Sequence, residues 1–402
     1  MNKEKHIPQG YKDSPLGIIP KEWKVKRVCD FGIVVTGSTP PTNDADNYGS
    51  AYMFVGPVDI TESKYIKSTE KSLSEKGFSI SRNMPKGSVL FTCIGSTIGK
   101  CAIAYENLTS NQQINAVICN SNHNEEFLYY ELTNRSNKIR LIAGEQAVPI
   151  INKSTFENIK IVCPPLIEQE RIVSVLSLWD TAIEKQSELI DKLKLRKRAL
   201  MQQLLTGKKC LPGFSGEWRK IKAGELFTSS SIKGNPDEVL LSATQEYGVI
   251  PRDQLEGRVT MPKGNLGSFK LVEEGDFVIS LRSFQGGIEY SKYRGIVSPA
   301  YNVLKPIIEI DKAFYQFYFK SSDFIGHLAV AVIGIRDGKQ ISYDDFCFVK
   351  IPYPNIDEQK AISCILLQAD KEIELAKEQL ANLQSQKRGL MQQLLTGKNR
   401  II

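Results

Sequence analysis

The sequence has little of what metal centres and nucleophilic sites usually require. Only three of its 402 residues are histidine, and none of the eight cysteines lies in a CxxC pair. This scatter argues against a zinc site and against a disulfide framework, and it favours free thiols in a reducing cytoplasm. Since no histidine lies beside a candidate nucleophile, we interpret His6, His123 and His327 as surface or structural residues.

Long apolar stretches are also missing. The longest apolar runs, such as residues 329–333, are far shorter than the roughly 18 residues that a membrane span needs. The first 17 residues hold no apolar signal-peptide segment, so we expect a cytoplasmic protein without a membrane partner. With 41% hydrophobic and 24% charged residues, the chain is typical of a globular protein of roughly two to three domains.

The charge is mildly basic and partly local. The formal net charge of +7 permits nucleic-acid binding without demonstrating it. Between Lys192 and Lys209 there are seven Lys or Arg residues and no acidic residue. The sequence leaves two interpretations of this run open, a solvated helix face and a contact surface for nucleic acid.

An internal duplication organises the chain. The sequence LMQQLLTGK occurs at residues 200–208 and again at 390–398. A repeat over such a distance is a duplicated domain, because solenoid units span only roughly 20–50 residues. The same shift of 190 positions superimposes Pro164 on Pro354, Glu168-Gln169 on Glu358-Gln359, Asp180 on Asp370, and Lys197-Arg198 on Lys387-Arg388.

Each half of the duplication ends in a predicted long helix. Residues 168–205 contain neither proline nor glycine, and seam positions recur there at alternating four- and three-residue steps, as in a heptad repeat. Gly207 and Gly397 stand where glycine commonly ends a helix. The predicted apolar seam comprises Ile172, Leu176, Trp179, Ile183, Ile190, Leu193, Leu200 and Leu204 in the first helix, and Ile362, Leu366, Ala369, Ile373, Ala376, Leu380, Leu383, Leu390 and Leu394 in the second.

A seam of this length must be buried against a partner. A helix of about 38 residues is about 57 Å long, and the simplest partner for each helix is the other one. We therefore predict an antiparallel intramolecular coiled coil, with the duplicated halves related by a pseudo-twofold axis. The alternative is a pair of separate helices, each packed on its own domain.

Two larger segments accompany the helices. In both, short apolar runs alternate with Gly, Pro, Asn and Ser, which predicts α/β domains and an α+β fold class for the whole chain. Their ends carry related phrases, whereas the turn tips at 95–97 and 283–285 differ, as expected for a shared scaffold with diverged recognition loops. The predicted domains are a first recognition segment at 1–165, a helix at 166–210, a second recognition segment at 211–355, and a helix at 356–402.

The sequence holds no convincing catalytic constellation. GSTIGK at 95–100 has three residues between its glycines and a cysteine after its lysine, whereas a phosphate-binding loop needs four residues and then Ser or Thr. Ser298-Pro299-Ala300-Tyr301 lacks the side-chain amide or carboxylate with which amino-methyltransferases hold their target. Pro236-Asp237 has no nearby ExK to complete a nuclease site. We expect a chain that is not itself an enzyme and that binds neither metal nor cofactor.

Polar residues in the loops suit the reading of base edges. Asn and Gln can pair bidentately with adenine, and Arg or Lys with guanine, in the major groove. For each candidate the alternative is a solvated loop residue or a turn cap. The candidates are Ser96, Thr97, Lys100, Asn111, Gln112 and Gln113 in the first segment, and Arg282, Ser283, Gln285, Lys292, Arg294 and Asn302 in the second.

With these features the sequence resembles the specificity subunits of type I restriction–modification enzymes over essentially its whole length. The alternation of recognition segment and long helix, repeated once, carries part of this resemblance. The rest lies in SPLGIIPKEW at 14–23, GSTIGK and SNQQINAV within 95–117, PPLIEQERI at 164–172, LSATQEYGVIPRD at 241–253, SFQGGIEYSKYRGIVSPAYNV at 283–303, and the paired LMQQLLTGK ends.

The resemblance implies that each segment reads one half of a bipartite, asymmetric site in double-stranded DNA, and that the helices form the spacer. Two modification subunits would supply S-adenosylmethionine and adenine methylation, and restriction subunits would supply ATP- and Mg²⁺-dependent translocation and cleavage. Two other functions remain open. A stand-alone methyltransferase or nuclease would need its own methyl-donor or metal site, and a coiled-coil adaptor would leave the two polar-loop domains unexplained.

Overall fold

The structure, a computed structural model, describes residues 7–144, 148–255, 266–281, 283–332 and 341–401. It divides into two compact units, and each long helix begins in one unit and ends in the other. The first unit comprises Met1–Ser187 and Glu378–Ile402, and the second comprises Glu188–Lys377.

The first unit is built around two sheets, with the strand orders β4-β12-β9-β10-β6 and β7-β5-β11-β8. Its helices are α1 (Glu75–Ser79), α2 (Glu125–Ile142), α3 (Lys153–Glu157) and the first part of α4 (Leu166–Leu204). Its strands are β1 (Tyr11–Lys12), β2 (Ile19–Pro20), β3 (Lys24–Arg27), β4 (Gly32–Thr36), β5 (Tyr48–Val55), β6 (Tyr65–Ile66), β7 (Lys71–Leu73), β8 (Asn83–Met84), β9 (Val89–Thr92), β10 (Cys101–Ala104), β11 (Leu108–Ser110), β12 (Ile114–Cys119) and β13 (Lys160–Cys163).

The sheet that contains β9 and β12 separates two cores. Phe91 and Ile103 face the core that includes Phe127 of α2, whereas Leu90 and Ala102 face the core shared with the other sheet. This division follows from the strand geometry, because successive side chains point to opposite faces. The connections between the strands are thereby left at the sheet ends, where they can carry recognition residues.

The end of the second long helix packs into the core of the first unit. Leu394 and Leu395 lie in one cluster with Trp23, which is fully buried. The Trp23 indole donates a hydrogen bond to Glu168 Oε2 at 2.9 Å. Gly397 has a φ of +68°, and a Cβ there would lie 2.5 Å from Pro20 Cδ, so both its conformation and its space require glycine.

The second unit repeats this plan with a smaller sheet of order β15-β22-β19-β20. Its helices are the last part of α4, then α5 (Ala223–Leu226), α6 (Ser283–Gly286), α7 (Lys312–Tyr318), α8 (Ser322–Val332), α9 (Tyr343–Phe348) and the first part of α10 (Ile356–Leu394). Its strands are β14 (Arg219–Lys222), β15 (Phe227–Ser230), β16 (Leu241–Thr244), β17 (Gly248–Pro251), β18 (Lys270–Val272), β19 (Phe277–Ile279), β20 (Glu289–Tyr290), β21 (Gly295–Val297), β22 (Asn302–Pro306) and β23 (Lys350–Tyr353).

The end of the first long helix packs into the core of the second unit in the same way. Leu204 and Leu205 lie in one cluster with the aromatic residues around Phe227. The Trp218 indole donates a hydrogen bond to Glu358 Oε2 at 3.1 Å. A Cβ on Gly207 would lie 3.2 Å from the Trp218 ring. The duplicated LMQQLLTGK sequence therefore encodes a helix end that docks beside a tryptophan.

The helices pair antiparallel within each unit. In the first unit Asp180 binds Lys387, and Gln186 Nε2 lies 3.4 Å from Gln379 Oε1. In the second unit Lys197 binds Asp370, and Arg196 binds Glu372. Residue numbers rise along one helix as they fall along the other, so the predicted antiparallel coiled coil is confirmed and the alternative of two separate helices is wrong.

The predicted seam residues lie on the contacting faces. Ile172, Leu176, Ile362 and Leu366 are almost completely buried, and none of the seam residues is exposed. Trp179 is only half-buried. None of the helices in the described ranges combines the length and the apolarity that crossing a bilayer requires.

Candidate nucleic-acid interface

In the first unit, two groups of predicted residues lie side by side. The first tip, which we define as residues 95–100 between β9 and β10, adjoins the loop that precedes β12. Thr92 pairs with Ile114 across the sheet, and Cys93 N–H donates to the Gln113 carbonyl at 2.8 Å. Antiparallel pairing of β9 with β12 thus brings Ser96, Thr97 and Lys100 to the sheet end that carries residues 111–113.

Hydrogen bonds within this loop hold its amide side chains in place. The Asn111 amide donates to Gln113 Oε1 at 3.0 Å, and its oxygen accepts from Gln113 N–H at 3.0 Å. Gln112 is exposed, and its Oε1 accepts from Thr39 Oγ1 at 2.7 Å. Ser96 and Lys100 are exposed, whereas Thr97 is half-buried. Asn111 and Gln113 therefore stabilise the loop, and Gln112, Ser96 and Lys100 are the more accessible groups.

The structure adds a cation that the sequence analysis missed. Arg82 is exposed, and its guanidinium donates to the Thr36 carbonyl at 3.1 Å, at the end of β4. The backbone N–H of Arg82 also donates to Ser38 Oγ at 2.9 Å. Since β4 pairs with β12 in antiparallel register, Arg82 and Thr39 lie at the same end of the sheet as the first tip. No local pattern in the sequence marks Arg82, because its position depends on pairing between distant strands.

In the second unit, the equivalent hairpin joins β19 and β20. We define the second tip as residues 280–288. Ile279 pairs with Asn302, so Asn302, which is half-buried, lies where the tip begins. Arg282 and the side chain of Gln285 lie outside the part of the chain that the structure describes.

The placement of Ser283 corrects the sequence analysis. Ser283 is 1% exposed, and its hydroxyl accepts a hydrogen bond from Ser280 N–H at 2.8 Å. A prediction from residue type treated it as a loop residue open to solvent. The hydroxyl instead closes the turn that enters α6, so Ser283 shapes the second tip from inside and is not available at its surface.

The structure separates Lys292 from Arg294. Lys292 is exposed and lines a cavity of about 1150 Å³ together with Leu281 of the second tip and Tyr301. Arg294 forms ion pairs instead, with Glu238 at 2.8 Å and Glu273 at 3.4 Å, and these carboxylates raise the pKa of its guanidinium. Lys292 therefore shares a concave surface with the second tip, whereas the charge of Arg294 is already compensated.

The titratable groups beside the tips are placed for structure. Burial raises the pKa of the Cys93 thiol to about 12, so this group is protonated at neutral pH and is a poor nucleophile. Burial likewise raises the pKa of Glu289 to about 7, although the Lys320 ammonium lies 2.6 Å from its carboxylate. Among the described residues no group of three His, Cys, Asp or Glu side chains is arranged to hold a metal ion. The exposed polar side chains at the two tips are therefore suited to recognising a ligand by hydrogen bonds.

Comparison with known proteins agrees with this geometry. A family model described as the type I restriction modification DNA specificity domain matches the chain twice, at residues 20–195 and 215–385. The chain is 25% identical over 413 residues to the type I restriction enzyme MjaVIII specificity subunit of Methanocaldococcus jannaschii, covering 95% of this chain and 94% of that one. It is 26% identical over 435 residues to the putative MjaX specificity subunit of the same organism, covering 98% and 97%.

Solved structures share the fold. The S subunit of a type I restriction–modification system from M. genitalium superimposes with a TM-score of 0.53 at 16% identity, over 93% of this chain and 96% of that one. A chain of another type I R-M system superimposes with a TM-score of 0.60 at 18% identity, over 95% and 99%. The fold, the duplicated domain and the two family matches together show that this chain belongs to the type I restriction–modification DNA specificity family.

Proposed function

We propose that this chain directs a type I restriction–modification complex to a bipartite, asymmetric site in double-stranded DNA. Residues 1–165 would read one half-site and residues 211–355 the other, while residues 166–210 and 356–402 would form the spacer. One observation carries the proposal. Both units present a β-hairpin tip beside the first residues of a neighbouring strand, on equivalent frames, but with different side chains.

The side chains at each tip support reading of different base edges. In the first unit, Gln112 can pair with adenine, while Lys100 and Arg82 offer charge to guanine or to phosphate. In the second unit, Asn302 and Lys292 offer the same two chemistries in another arrangement, and Arg282 and Gln285 remain candidates. Each correct bidentate pair contributes roughly 1–3 kcal/mol of discrimination between bases. Phosphate contacts by Lys and Arg would supply much of the affinity.

Catalysis would belong to partner subunits. Two modification subunits would bind S-adenosylmethionine and methylate adenine, and restriction subunits would use ATP and Mg²⁺ for translocation and cleavage. The duplicated specificity domain, matched over both halves, supports assembly with such subunits.

We infer that the long helices set the number of unread base pairs between the half-sites. Each helix spans 39 residues, and its heptad seam fixes the register with the other helix. Inserting the same number of residues into both helices should therefore change the gap and leave the half-sites unchanged. Altered half-site bases with an unchanged gap would contradict the spacer role.

The first test is methylation mapping. The full chain is co-expressed with a type I modification subunit that co-purifies with it, and adenine methylation of host DNA is mapped at single-base resolution. We expect a bipartite motif with a fixed gap that disappears when this chain is omitted. A motif that persists without the chain would contradict the proposal. Methyl-donor binding by the isolated chain would instead favour a stand-alone methyltransferase, and an assembled complex without any motif would favour an adaptor.

A further inference from the structure

A basic groove lies in the second unit between the end of α4 and the start of α8. Its cavity measures about 620 Å³. We use the name basic groove for the surface lined by Lys194, Arg198, Gln202, Lys208, Lys320 and Ser322. Four of these residues belong to the lysine- and arginine-rich run at 192–209, for which the sequence left a solvated face and a nucleic-acid contact open. Lys320 precedes α8, and Ser322 is its first residue.

The cations of this groove have different partners. Lys320 is committed to the protein, since its ammonium lies 2.6 Å from the buried Glu289 carboxylate. Lys194 faces Asp191 at 3.3 Å, but both side chains are more than half exposed, so this pair contributes little. Arg198 and Lys208 are exposed, and no ion pair involves either of them within the described residues. Asp323 is a lining carboxylate, and it leaves the groove with a net positive charge.

The repeat shows which of these charges are specific to the first helix. The second helix keeps the LMQQLLTGK sequence, and its end docks in the same way. Three cations of the first helix are nevertheless neutral in the second: Lys192 corresponds to Asn382, Lys194 to Gln384, and Arg196 to Gln386. Of these three, Arg196 pairs with Glu372, and only Lys194 lines the groove. Arg198 and Lys208 keep charged counterparts in the second helix, Arg388 and Lys398.

The basic groove adjoins the second tip. The Lys320 ammonium donates to the Gly286 carbonyl at 2.9 Å, at the end of α6. It also donates to the Gln245 carbonyl at 3.3 Å, in the turn between β16 and β17. One side chain thus lines the groove and supports the second tip. A DNA strand whose bases met the second tip would therefore carry its phosphates near the groove.

We propose that the basic groove binds backbone phosphates of the DNA whose bases the second tip reads. This inference rests on the proposed function. Arg198, Lys194 and Lys208 are the binding groups, because they are exposed and have no strong partner in the protein. Their contacts position the recognition domain without reading sequence, since phosphates carry no base information. We call these three cations the phosphate clamp. In the repeat, Arg198 and Lys208 have the counterparts Arg388 and Lys398, whereas Lys194 is replaced by Gln384.

The test compares two triple variants of the full chain. The groove variant carries Lys194→Gln, Arg198→Gln and Lys208→Gln. The control variant carries Lys360→Gln, Lys371→Gln and Lys377→Gln, which removes the same charge from exposed lysines of α10 in the same unit. Because all six side chains are exposed and glutamine suits helices, both variants should fold. Circular dichroism and thermal unfolding check this for each protein.

The readout is binding to a duplex of random sequence at salt concentrations from about 50 to 200 mM. The slope of log affinity against log salt falls by about 0.9 for each phosphate that the protein no longer neutralises. We expect the slope of the groove variant to fall by about 1–3 and its affinity to fall roughly tenfold or more at the lowest salt, with little change in the control. The motif methylated by a co-expressed complex should keep its bases and its gap.

The outcomes separate this inference from the proposed function. Equal slopes for the groove and control variants would overturn the phosphate clamp, even where the wild-type complex methylates a bipartite motif. An unchanged slope with loss of a co-purifying modification subunit would assign the groove to a protein partner and would also overturn it. Absence of any motif with the wild-type chain would contradict the proposed function, while the slope on random DNA would still decide the groove.

Discussion

The two units hold the same helix end with different sets of contacts. In the first unit Trp23 is fully buried, and Arg400 binds Glu168 at 2.9 Å, so that carboxylate serves both the indole and the guanidinium. In the second unit Trp218 is half-buried and binds Glu358 at 3.1 Å. Cys210, which corresponds to Arg400 in the repeat, is exposed. The shared Trp, Glu and Gly define where the helix end docks, and the residues that differ set how firmly it is held.

The ion pairs between the helices are also more buried in the first unit than in the second. Asp180 binds Lys387, accepts a hydrogen bond from Tyr130, and lies 3.2 Å from Lys64. Its counterpart Asp370 binds Lys197, whose ammonium lies over the Phe317 ring. The side chain of Asp180 is 22% exposed and that of Asp370 is 40% exposed. The first unit therefore depends on a buried polar network where the second uses a more solvated pair.

We expect the largest difference between the two helix ends when the tryptophan beside each end is replaced by alanine. Trp23→Ala should destabilise the docked helix end by about 3–5 kcal/mol, because it empties a fully buried site. Trp218→Ala should cost about half as much, since that ring already meets solvent. Hydrogen exchange measured by mass spectrometry over residues 388–401 and 198–209 reports each end separately.

A conservative variant isolates the indole hydrogen bond in this experiment. Trp23→Phe keeps most of the apolar volume and removes the donor to Glu168. We expect it to restore most of the protection that Trp23→Ala removes. Equal losses of protection at the two helix ends after the two alanine substitutions would contradict the view that the first end is held more firmly.

The ion pairs offer a test with a smaller effect. Asp180→Asn should cost about 2–3 kcal/mol, because it leaves Lys387 largely buried without a counter-charge and removes one of the two carboxylates beside Lys64. Asp370→Asn should cost about 1 kcal/mol or less, as is usual for solvated pairs. Double-mutant cycles with Lys387→Met and Lys197→Met, followed by urea unfolding, measure the two coupling energies. Equal coupling energies would remove the distinction between the units.

Local sequence patterns were sufficient to predict the helices. Where the helix ends dock depends on contacts between residues that are distant in the sequence. The heptad spacing was sufficient to predict the antiparallel coiled coil, and the repeated Asp180, Lys197, Asp370 and Lys387 already contained both ion pairs. The docking of the second helix end could not be predicted, because nothing local indicates that LMQQLLTGK at 390–398 packs beside Trp23, near the other end of the sequence.

For the candidate interface, too, the sequence alone could not show which side chains lie together and remain accessible. Strand pairing gathered the first tip with residues 111–113 and also with Arg82, which residue type alone did not single out. The burial of Ser283 depends on one hydrogen bond within its turn, and the compensation of Arg294 depends on Glu238, which is 56 residues away in the sequence. Residue type can therefore nominate a recognition residue, but only the fold decides whether its polar atoms remain available.

The smallest predicted effect is a gain of stability. Cys210→Arg introduces a guanidinium at the sequence position that corresponds to Arg400. The partner of Arg400, Glu168, corresponds to Glu358, which is 7% exposed. A charge-assisted, two-pronged contact should stabilise the second helix end by about 0.5–1 kcal/mol. Cys210→Lys is the matched control, because it adds the charge without the planar fork. Slower hydrogen exchange over residues 198–209 with Arg but not with Lys would show that the geometry of the contact matters, and no difference from the wild type would refute the assignment of Arg400 as the residue that strengthens docking.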